Sequence, residues 1–330
     1  MATEYSSRTI SIDGIEAQRI FLKPVYTDPA IRDLFQVMPN VHYRRKMAFL
    51  GEMPAPIRKY IGCDFNPTTG ITLSEREIDT ELCQINLVLC DADFVQTDYD
   101  QLLNYDTDRS VFEGTLILEL MQERLRLATQ KHIETLAFFG DRTSADPVIN
   151  ITDGLFTKYF PEAVAQNLIS YTPVVQANAL GSGDAVKLMN EVYYNRTKQL
   201  RGVDKNTLRF YVSSEVYDRL EQDAQDGVYG NQAYITSIRE GIPIMNFQGI
   251  EVVQMNLWDT FYNEYVDPNV DNAKLVVLTT RDNMVLGTDI ESNINAVRLT
   301  FNPEKRNTQI HAAFKLGFNY IHESLFSIAY

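Results

Sequence analysis

Hydrophobic positions change period several times along this chain, and the changes divide it. The longest sustained helical pattern starts near Ser110, where Ser110 and Glu113 stand at capping-box spacing. VFEGTLILELMQERLRLATQKHIETLAFF then continues without a proline, and Leu116, Leu120, Glu123, Leu127, Gln130, Ile133 and Ala137 trace a mostly apolar stripe. A helix from Ser110 to Phe139 would be about 45 Å long at 1.5 Å per residue. That is long for one compact domain and predicts a bridging spine.

Period-two patterns surround it. Residues 1–40 mix short apolar pairs with Pro24, Pro29 and Pro39 and hold no period, which suits an extended arm lying on another surface. Across 41–90, Gly51, Pro54, Pro56, Gly62, Pro67 and Gly70 separate short runs such as KMAFL. ITLSEREID and CQINLVLC then alternate as strands, with Ile85, Leu87 and Leu89 on one face. The stretch reads as a long two-stranded finger. Such a finger has no core to lie on, so docking on another subunit is expected.

Beyond the spine, Thr152 or Asp153 is placed to cap a short helix that Pro161 would interrupt. GDAVKLMNEVYYNRTKQ is an amphipathic helix with Ala185, Leu188, Met189, Val192 and Tyr193 on one face. LRFYVSSEVYDRLEQ reads as strand, serine cap and helix, GIPIMNFQGIEVVQM as a hairpin, and KLVVLTT and NMVLGTD as buried strands. The region 145–290 is therefore an α+β domain. At the end NAVRLTF, NPEKRN and TQIHAAFKLGFNYI form a long hairpin. Its second strand keeps Ile310, Ala312, Phe314, Leu316, Phe318 and Tyr320 on one face, which suits packing on the spine.

Composition narrows the class. A chain of 330 residues, 45% hydrophobic and 22% charged, can bury a sizeable core in one large or two interleaved domains. Cys63, Cys83 and Cys90 are odd in number and lack zinc-ligand spacing. MATEYSSRTISIDG has no apolar signal core, and no segment is apolar enough to span a bilayer, so a reducing cytoplasm and no membrane are expected. The net charge of −14 argues against a protein that wraps nucleic acid.

Candidate chemistry is sparse. Asp141, Asp146 and Asp153 offer oxygen ligands for magnesium or calcium, which would make the chain an Asp-based metal-dependent enzyme. Their spacing fits no calcium loop, and acids beside glycines at a helix end commonly form turns and caps. His42, His132, His311 and His322 stand in no metal or triad spacing, and no nucleophile elbow accompanies them. LGSGDA lacks the third glycine and the lysine of a phosphate loop. A loop and helix cap account for it. No catalytic residue, cofactor site or metal site is assigned.

The order of elements is arm, finger, spine, the corner AFFGDRTSADPVINITDGL, α+β domain and terminal hairpin. It resembles the major capsid protein of tailed bacteriophages, with the Hong Kong 97-type fold, over nearly the whole chain. The corner is similar to the glycine-aspartate turn that closes that family's spine helix, with Gly140, Asp141, Asp153 and Gly154 turning the chain. LRFYVSSEVYDRLEQ, IPIMNFQGIEVVQMNLWD and KLVVLTTRDNMVLGTD look like its axial domain.

The resemblance implies an N-terminal arm at 1–40, an extended loop at 41–90 lying over a neighbour, a peripheral domain of 91–144 with 291–330, and an axial domain at 145–290. It implies self-assembly into pentamers and hexamers of an icosahedral head, made in the host cytoplasm, that encloses double-stranded DNA without sequence-specific binding. An encapsulin-type cargo shell has the same fold. Only about forty residues precede the finger, so scaffolding is expected as a separate protein, beside a portal and decoration proteins. Some members cross-link a loop lysine to an asparagine; Lys46 or Lys59 with Asn302 or Asn307, helped by Glu304, hold the matching places. The finger cations Arg44, Arg45, Lys46, Arg58 and Lys59 are expected to meet acids before and on the spine: Asp98, Asp100, Asp106, Asp108, Glu119 and Glu123.

Overall fold

The computed structural model of the chain describes residues 9–12, 34–50, 59, 73–90, 116–226, 237–239, 242–289, 297–302, 305 and 307–330. The strands β1 (Thr9–Ile12), β2 (Gln36–Met38), β3 (Arg44–Leu50), β4 (Leu73–Asp79) and β5 (Glu81–Cys90) precede the long helix α1 (Leu116–Phe139). A π-helical turn (Leu155–Tyr159) then runs straight into α2 (Phe160–Ala165). Next come β6 (Ser170–Thr172), α3 (Asp184–Tyr194), α4 (Lys198–Gly202), β7 (Leu208–Ser213) and α5 (Ser214–Gln225). The strands β8 (Ser237–Arg239), β9 (Ile242–Phe247) and β10 (Ile250–Met255) lead to α6 (Trp258–Tyr265). The chain closes with β11 (Val276–Thr280), β12 (Met284–Thr288), β13 (Val297–Asn302), β14 (Asn307–Tyr320) and β15 (Phe326–Ala329).

Two large sheets organise these elements. One is built on β14: β13 pairs along Asn307–Ala312, β5 along the opposite edge from Asn307 to Leu316, and β12 along Leu316–Tyr320. β1 extends it beyond β13, and β2 lies parallel to β12. The alternation Ile310, Ala312, Phe314, Leu316, Phe318, Tyr320 is buried throughout, as its period requires. α1 lies over this face, and a groove of about 190 Å³ between helix and sheet is lined by Ile85, Ala128, Ile133 and Phe314. The second sheet has seven strands in the order β6-β15-β11-β7-β10-β9-β8. Its middle strands β7 and β11 are buried on both faces except at Arg209 and Thr280, which are half-buried, and so they lack the alternation of a strand with one face in water.

Each face has its own core. Phe138, Phe139, Trp258, Tyr211, Val277 and Phe326 belong to the cluster that joins both sheets to the end of α1. Met189, Val192, Phe210, Val212, Leu220 and Leu278 form a second cluster, under α3 and α5. In the hairpin of β9 and β10, Gln248 (φ 54) and Gly249 (φ 79) both take left-handed backbone, the two-residue turn that matches strand twist.

Several sequence expectations are corrected. The finger strands are β3 and β4, paired from Arg44↔Asp79 to Leu50↔Leu73, whereas β5 leaves them and joins β14. Thr80 alone separates β4 from β5, too little for a hairpin, so the chain carries on into another sheet. The arm residues 9–12 lie on the chain's own β13 rather than on a separate surface, and Leu34 and Phe35 are core residues. Pro161 does not break its helix, because it stands at the start of α2, where no N–H is needed. Neither Thr152 nor Asp153 caps the preceding turn; Gly154 holds that place without a side-chain bond. Ser213 is the N-cap residue of α5 but gives its hydroxyl to the Ala273 carbonyl, and the Asp259 carboxylate instead accepts from Ser214 N at 2.9 Å. Along the spine stripe, Ile133 and Ala137 are buried while Leu127 is 44% exposed. The Ser110 capping box lies outside the described residues.

Candidate functional site: the helix corner and the finger root

The corner begins where α1 ends. Residues Ile133 to Gly140 are all buried, so the last two turns of α1 are enclosed on every side rather than along one stripe. The chain then loops through 141–153 and returns across itself: Gly154 N donates to Gly140 O at 2.7 Å, and Asp141 N to Ile149 O at 2.9 Å. A Cβ on Gly140 would lie 2.4 Å from Thr152 O, and one on Gly154 would lie 2.6 Å from Gly140 N and 2.7 Å from Phe138 O. Neither glycine has positive φ, so the requirement is close approach of two backbones, not left-handed conformation. Around them Phe138 meets Trp258 edge-on at 4.7 Å and Phe139 stacks on Phe156 at 5.5 Å.

The three aspartates serve separate turns. Asp141 Oδ1 accepts from Thr143 N and Oγ1 at 2.8 and 2.7 Å, and Asp146 Oδ1 accepts from Val148 N at 2.9 Å. Asp153, 8% exposed, takes the Lys158 ammonium at 2.6 Å and the Arg142 N–H at 3.3 Å. Arg142 also reaches Glu81 at 3.4 Å, which ties the corner to the first residue of β5. Among the described residues no three metal-ligating side chains come together. His132 Nε2 donates to Val148 O at 2.8 Å, so this histidine also serves the corner.

The finger root is the second structured junction. Thr80 N donates to Tyr43 O at 2.8 Å, and the Thr80 hydroxyl donates to Tyr43 O at 3.1 Å. A Cβ on Gly317 would stand 2.0 Å from Asp79 O, so glycine is what lets β4 cross β14 here. Asn319 Nδ2 donates to Glu77 O at 2.7 Å, and Lys315 Nζ donates to His42 O. The Arg76 guanidinium lies 3.9 Å over the Tyr320 ring and pairs with Glu323. Burial pushes the Tyr320 phenol above its ordinary pKa, against the opposing pull of Arg76. Beneath, Val41, Met47, Ile78 and Val285 make a small core of the root's own.

The finger cations find acids on the facing strand of their own chain. Arg44 pairs with Asp79 at 2.6 Å and Glu77 at 3.1 Å; Lys46 pairs with Glu75 at 3.0 Å. The bonded carboxylate of Asp79 raises the Arg44 pKa, and that of Glu75 raises Lys46. Arg45 donates to the Pro39 carbonyl at 3.3 Å, and Lys59 is exposed. Arg58, Asp98, Asp100, Asp106, Asp108 and Glu304 lie outside the described residues. Glu119 and Glu123 are on α1, with their side chains beyond the description, as is that of Asn302 on β13. Asn302 and Asn307 face each other across the terminal hairpin.

One organising residue gave no sequence signal. Asn283, 2% exposed, lies in the short turn between β11 and β12, where the chain passes from one sheet to the other. Its amide donates to His322 O at 3.0 Å and Thr279 Oγ1 at 3.1 Å, and its Oδ1 accepts from His322 N at 2.8 Å. It thereby clamps that crossing to the one between β14 and β15. The Arg76–Glu323 pair, 247 residues apart in sequence, was equally invisible.

No protein-family model and no curated protein matches the chain. Solved structures do. The chain is similar to one in a satellite phage P4 procapsid including size determination protein, at 11% identity over 95% of this chain and 98% of that one, with a TM-score of 0.54. A structure from Gordonia phage Cozz matches at 11% identity, over 90% and 84% of the two chains, with a TM-score of 0.55. The capsid of an empty GTA particle matches at 11% identity, over 91% and 94%, with a TM-score of 0.53. At such identities the likeness is one of fold: the chain has the α+β fold of phage capsid proteins. Among the described residues no helix is long and apolar enough to cross a membrane.

Proposed function

We propose that this chain is a major capsid protein that self-assembles into pentamers and hexamers of an icosahedral phage head enclosing double-stranded DNA. The observation that best supports the reading is coverage from end to end: 95% of this chain aligns with 98% of a phage procapsid chain. A shared domain inside an unrelated protein would leave large unmatched parts on one side. In this reading 41–90 is the extended loop of a Hong Kong 97-type subunit, 91–144 with 291–330 the peripheral domain, and 145–290 the axial domain. Gly140, Asp141, Asp153 and Gly154 form the corner between the last two. The chain is a structural protein without catalytic chemistry, and scaffolding, portal and decoration proteins are separate partners.

Surface apolarity supports assembly through the finger base and β5. Tyr43 is 71% exposed, Leu82 67% and Val88 60% in the single chain, and large apolar side chains grouped on a surface mark contact sites. The finger cations add charge to the same region. Arg45 is the cleanest probe of them, because its one bond among the described residues is to a carbonyl, whereas Arg44 and Lys46 already hold carboxylates.

Electron microscopy of the expressed protein tests the reading. Polyhedral shells or capsomer rings are expected, and compact monomers that persist under assembly conditions would overturn it. Denaturing electrophoresis of those shells tests the lysine–asparagine cross-link; a single band at monomer mass ends that idea.

A further inference from the structure

Four cations gather where α3 ends. Arg196, Lys198, Arg201 and Lys205 fall within ten residues whose one acid is Asp204, in a chain of net charge −14. The contacts of Arg196, Arg201 and Lys205 go to carbonyls and a ring. Arg196 lies 3.8 Å over the Tyr193 ring, Arg201 donates to Arg196 O at 3.1 Å and Tyr194 O at 2.6 Å, and Lys205 donates to Gln248 O at 3.1 Å. None of the four forms an ion pair among the described residues, and Lys198, Arg201 and Lys205 are exposed. Burial alone would raise the Tyr193 phenol, yet Lys205 and Arg196 outweigh it and lower its pKa, which marks how concentrated the positive charge is. For Arg196, Arg201 and Lys205 these contacts hold the charged ends against carbonyls and a ring while no carboxylate neutralises them among the described residues.

The complement is on the same chain. α5 turns Asp218 and Glu221 to solvent, with Asp226 just past its end and Glu215 half-buried at its start. These four form no ion pair among the described residues either. Among the described residues no ion pair joins the two surfaces. α3 touches both elements: its start receives Asp223 of α5, whose Oδ1 accepts from Gly183 N at 2.9 Å, and its end carries Tyr193 of the basic surface. The eleven residues of α3 place that Asp223 contact about 16 Å from Tyr193.

We infer that the basic surface at Arg196–Lys205 docks the acidic α5 face of a second copy of this chain. This rests on the shell reading and names a contact within it. A patch that meets a different patch on the next copy makes a head-to-tail interface, and such an interface closes into a ring when the rotation closes. Opposite charges at such a seam also fix register and disfavour wrong pairings.

Charge reversal with rescue tests it. Lys198→Glu alters an exposed side chain that holds no partner among the described residues, so the subunit should keep its melting temperature and circular dichroism spectrum. Its yield of shells or rings in low salt should fall about tenfold. Lys198→Glu with Arg201→Glu should fall further, as should Asp218→Lys with Glu221→Lys, and mixing the two double variants should restore six-membered rings, in which the two alternate. Parent-like assembly of both double variants, or a mixture that fails to recover, overturns the contact while leaving the shell intact. Normal shells of the Lys198→Glu, Arg201→Glu variant that retain less DNA would assign the patch to phosphate and overturn it too. A parent protein that stays monomeric under every assembly condition refutes the shell reading itself, and this contact with it.

Discussion

Replacing Gly154 by alanine asks whether the corner depends on two backbones in contact. The new Cβ would meet Gly140 N at 2.6 Å, Phe138 O at 2.7 Å and Phe138 C at 2.8 Å. All three are backbone atoms, so no side-chain rotation relieves the overlap. One strand of the corner must retreat by about 0.7 Å to recover van der Waals spacing. Retreat stretches the 2.7 Å bond from Gly154 N to Gly140 O and disturbs Phe138 and Phe139, both fully buried. Overpacking of this kind costs about 1–3 kcal/mol and a weakened buried hydrogen bond about 1 kcal/mol more. The sum, about 3 kcal/mol, corresponds to a melting temperature lower by about 4 °C in a chain of 330 residues. Gly202→Ala is the control, since a Cβ there meets nothing within 4 Å. Thermal unfolding followed by circular dichroism compares the two. A Gly154→Ala variant that melts within about 2 °C of Gly202→Ala would refute the close-approach argument.

Other positions give sharper single readouts. Asn283→Ala removes a buried side chain that makes three hydrogen bonds across both sheet crossings, and chemical denaturation should register a loss of about 2–3 kcal/mol. Arg76→Ala loses a cation–π contact and an ion pair whose side chains are 21% and 33% exposed; a loss of about 1 kcal/mol is expected, and the same loss in the Glu323→Gln background would show that the ring contact dominates. Burial pushes the Cys83 thiol from 9.0 to about 12. Its folded pKa is raised, so its contribution to stability is fully present below pH 9 and is lost as pH rises toward 12, about 1.4 kcal/mol by pH 10. A Cys83→Ala variant should lack that part of the alkaline decline, and in a Cys63→Ser, Cys90→Ser background Cys83 should resist thiol reagents at pH 8 until the chain unfolds.

Periodicity exposed those parts of the fold whose reasons are local. The face from Ile310 to Tyr320, the α3 stripe of Ala185, Leu188, Met189 and Val192, and the Gln248–Gly249 turn were all readable, because each follows from spacing or backbone chemistry within a few residues. What escaped were choices between partners. CQINLVLC is a strand by pattern whether it pairs with β4 or β14, and nothing in its own residues selects β14. KLVVLTT and NMVLGTD likewise read as two buried strands, and they are, but in different sheets. The Asp259 cap on Ser214 joins residues 45 apart, so the nearer Ser213 drew the inference instead. The corner was legible as a turn at Gly140 and Gly154, yet its physical cause was not. Sequence suggests glycine for a sharp bend, whereas the contacts demand glycine because each backbone occupies the other's Cβ position.

The path from β4 through Thr80 into β5 gives the finger a mechanical meaning. A hairpin joined by a loop of several residues would swing freely, but here one residue separates a finger strand from a strand of the β14 sheet. Thr80 is held to Tyr43 by two bonds, Gly317 admits the Asp79 backbone at contact distance, and Asn319 grips the Glu77 carbonyl. Arg76 carries the grip on to Tyr320 and Glu323, next to the crossing that Asn283 clamps. Load applied to the finger therefore reaches the junction of the two sheets through short, mostly backbone contacts rather than through a flexible tether. In the proposed shell, a neighbour that displaces the finger would work against this junction, and the angle between finger and sheet would be set by the subunit before assembly. Weakening one contact, as in Asn319→Ala, should broaden that angle while sparing the core. Shells of that variant should then vary in diameter more than the parent's by electron microscopy, and a size distribution identical to the parent's would place the control of curvature elsewhere.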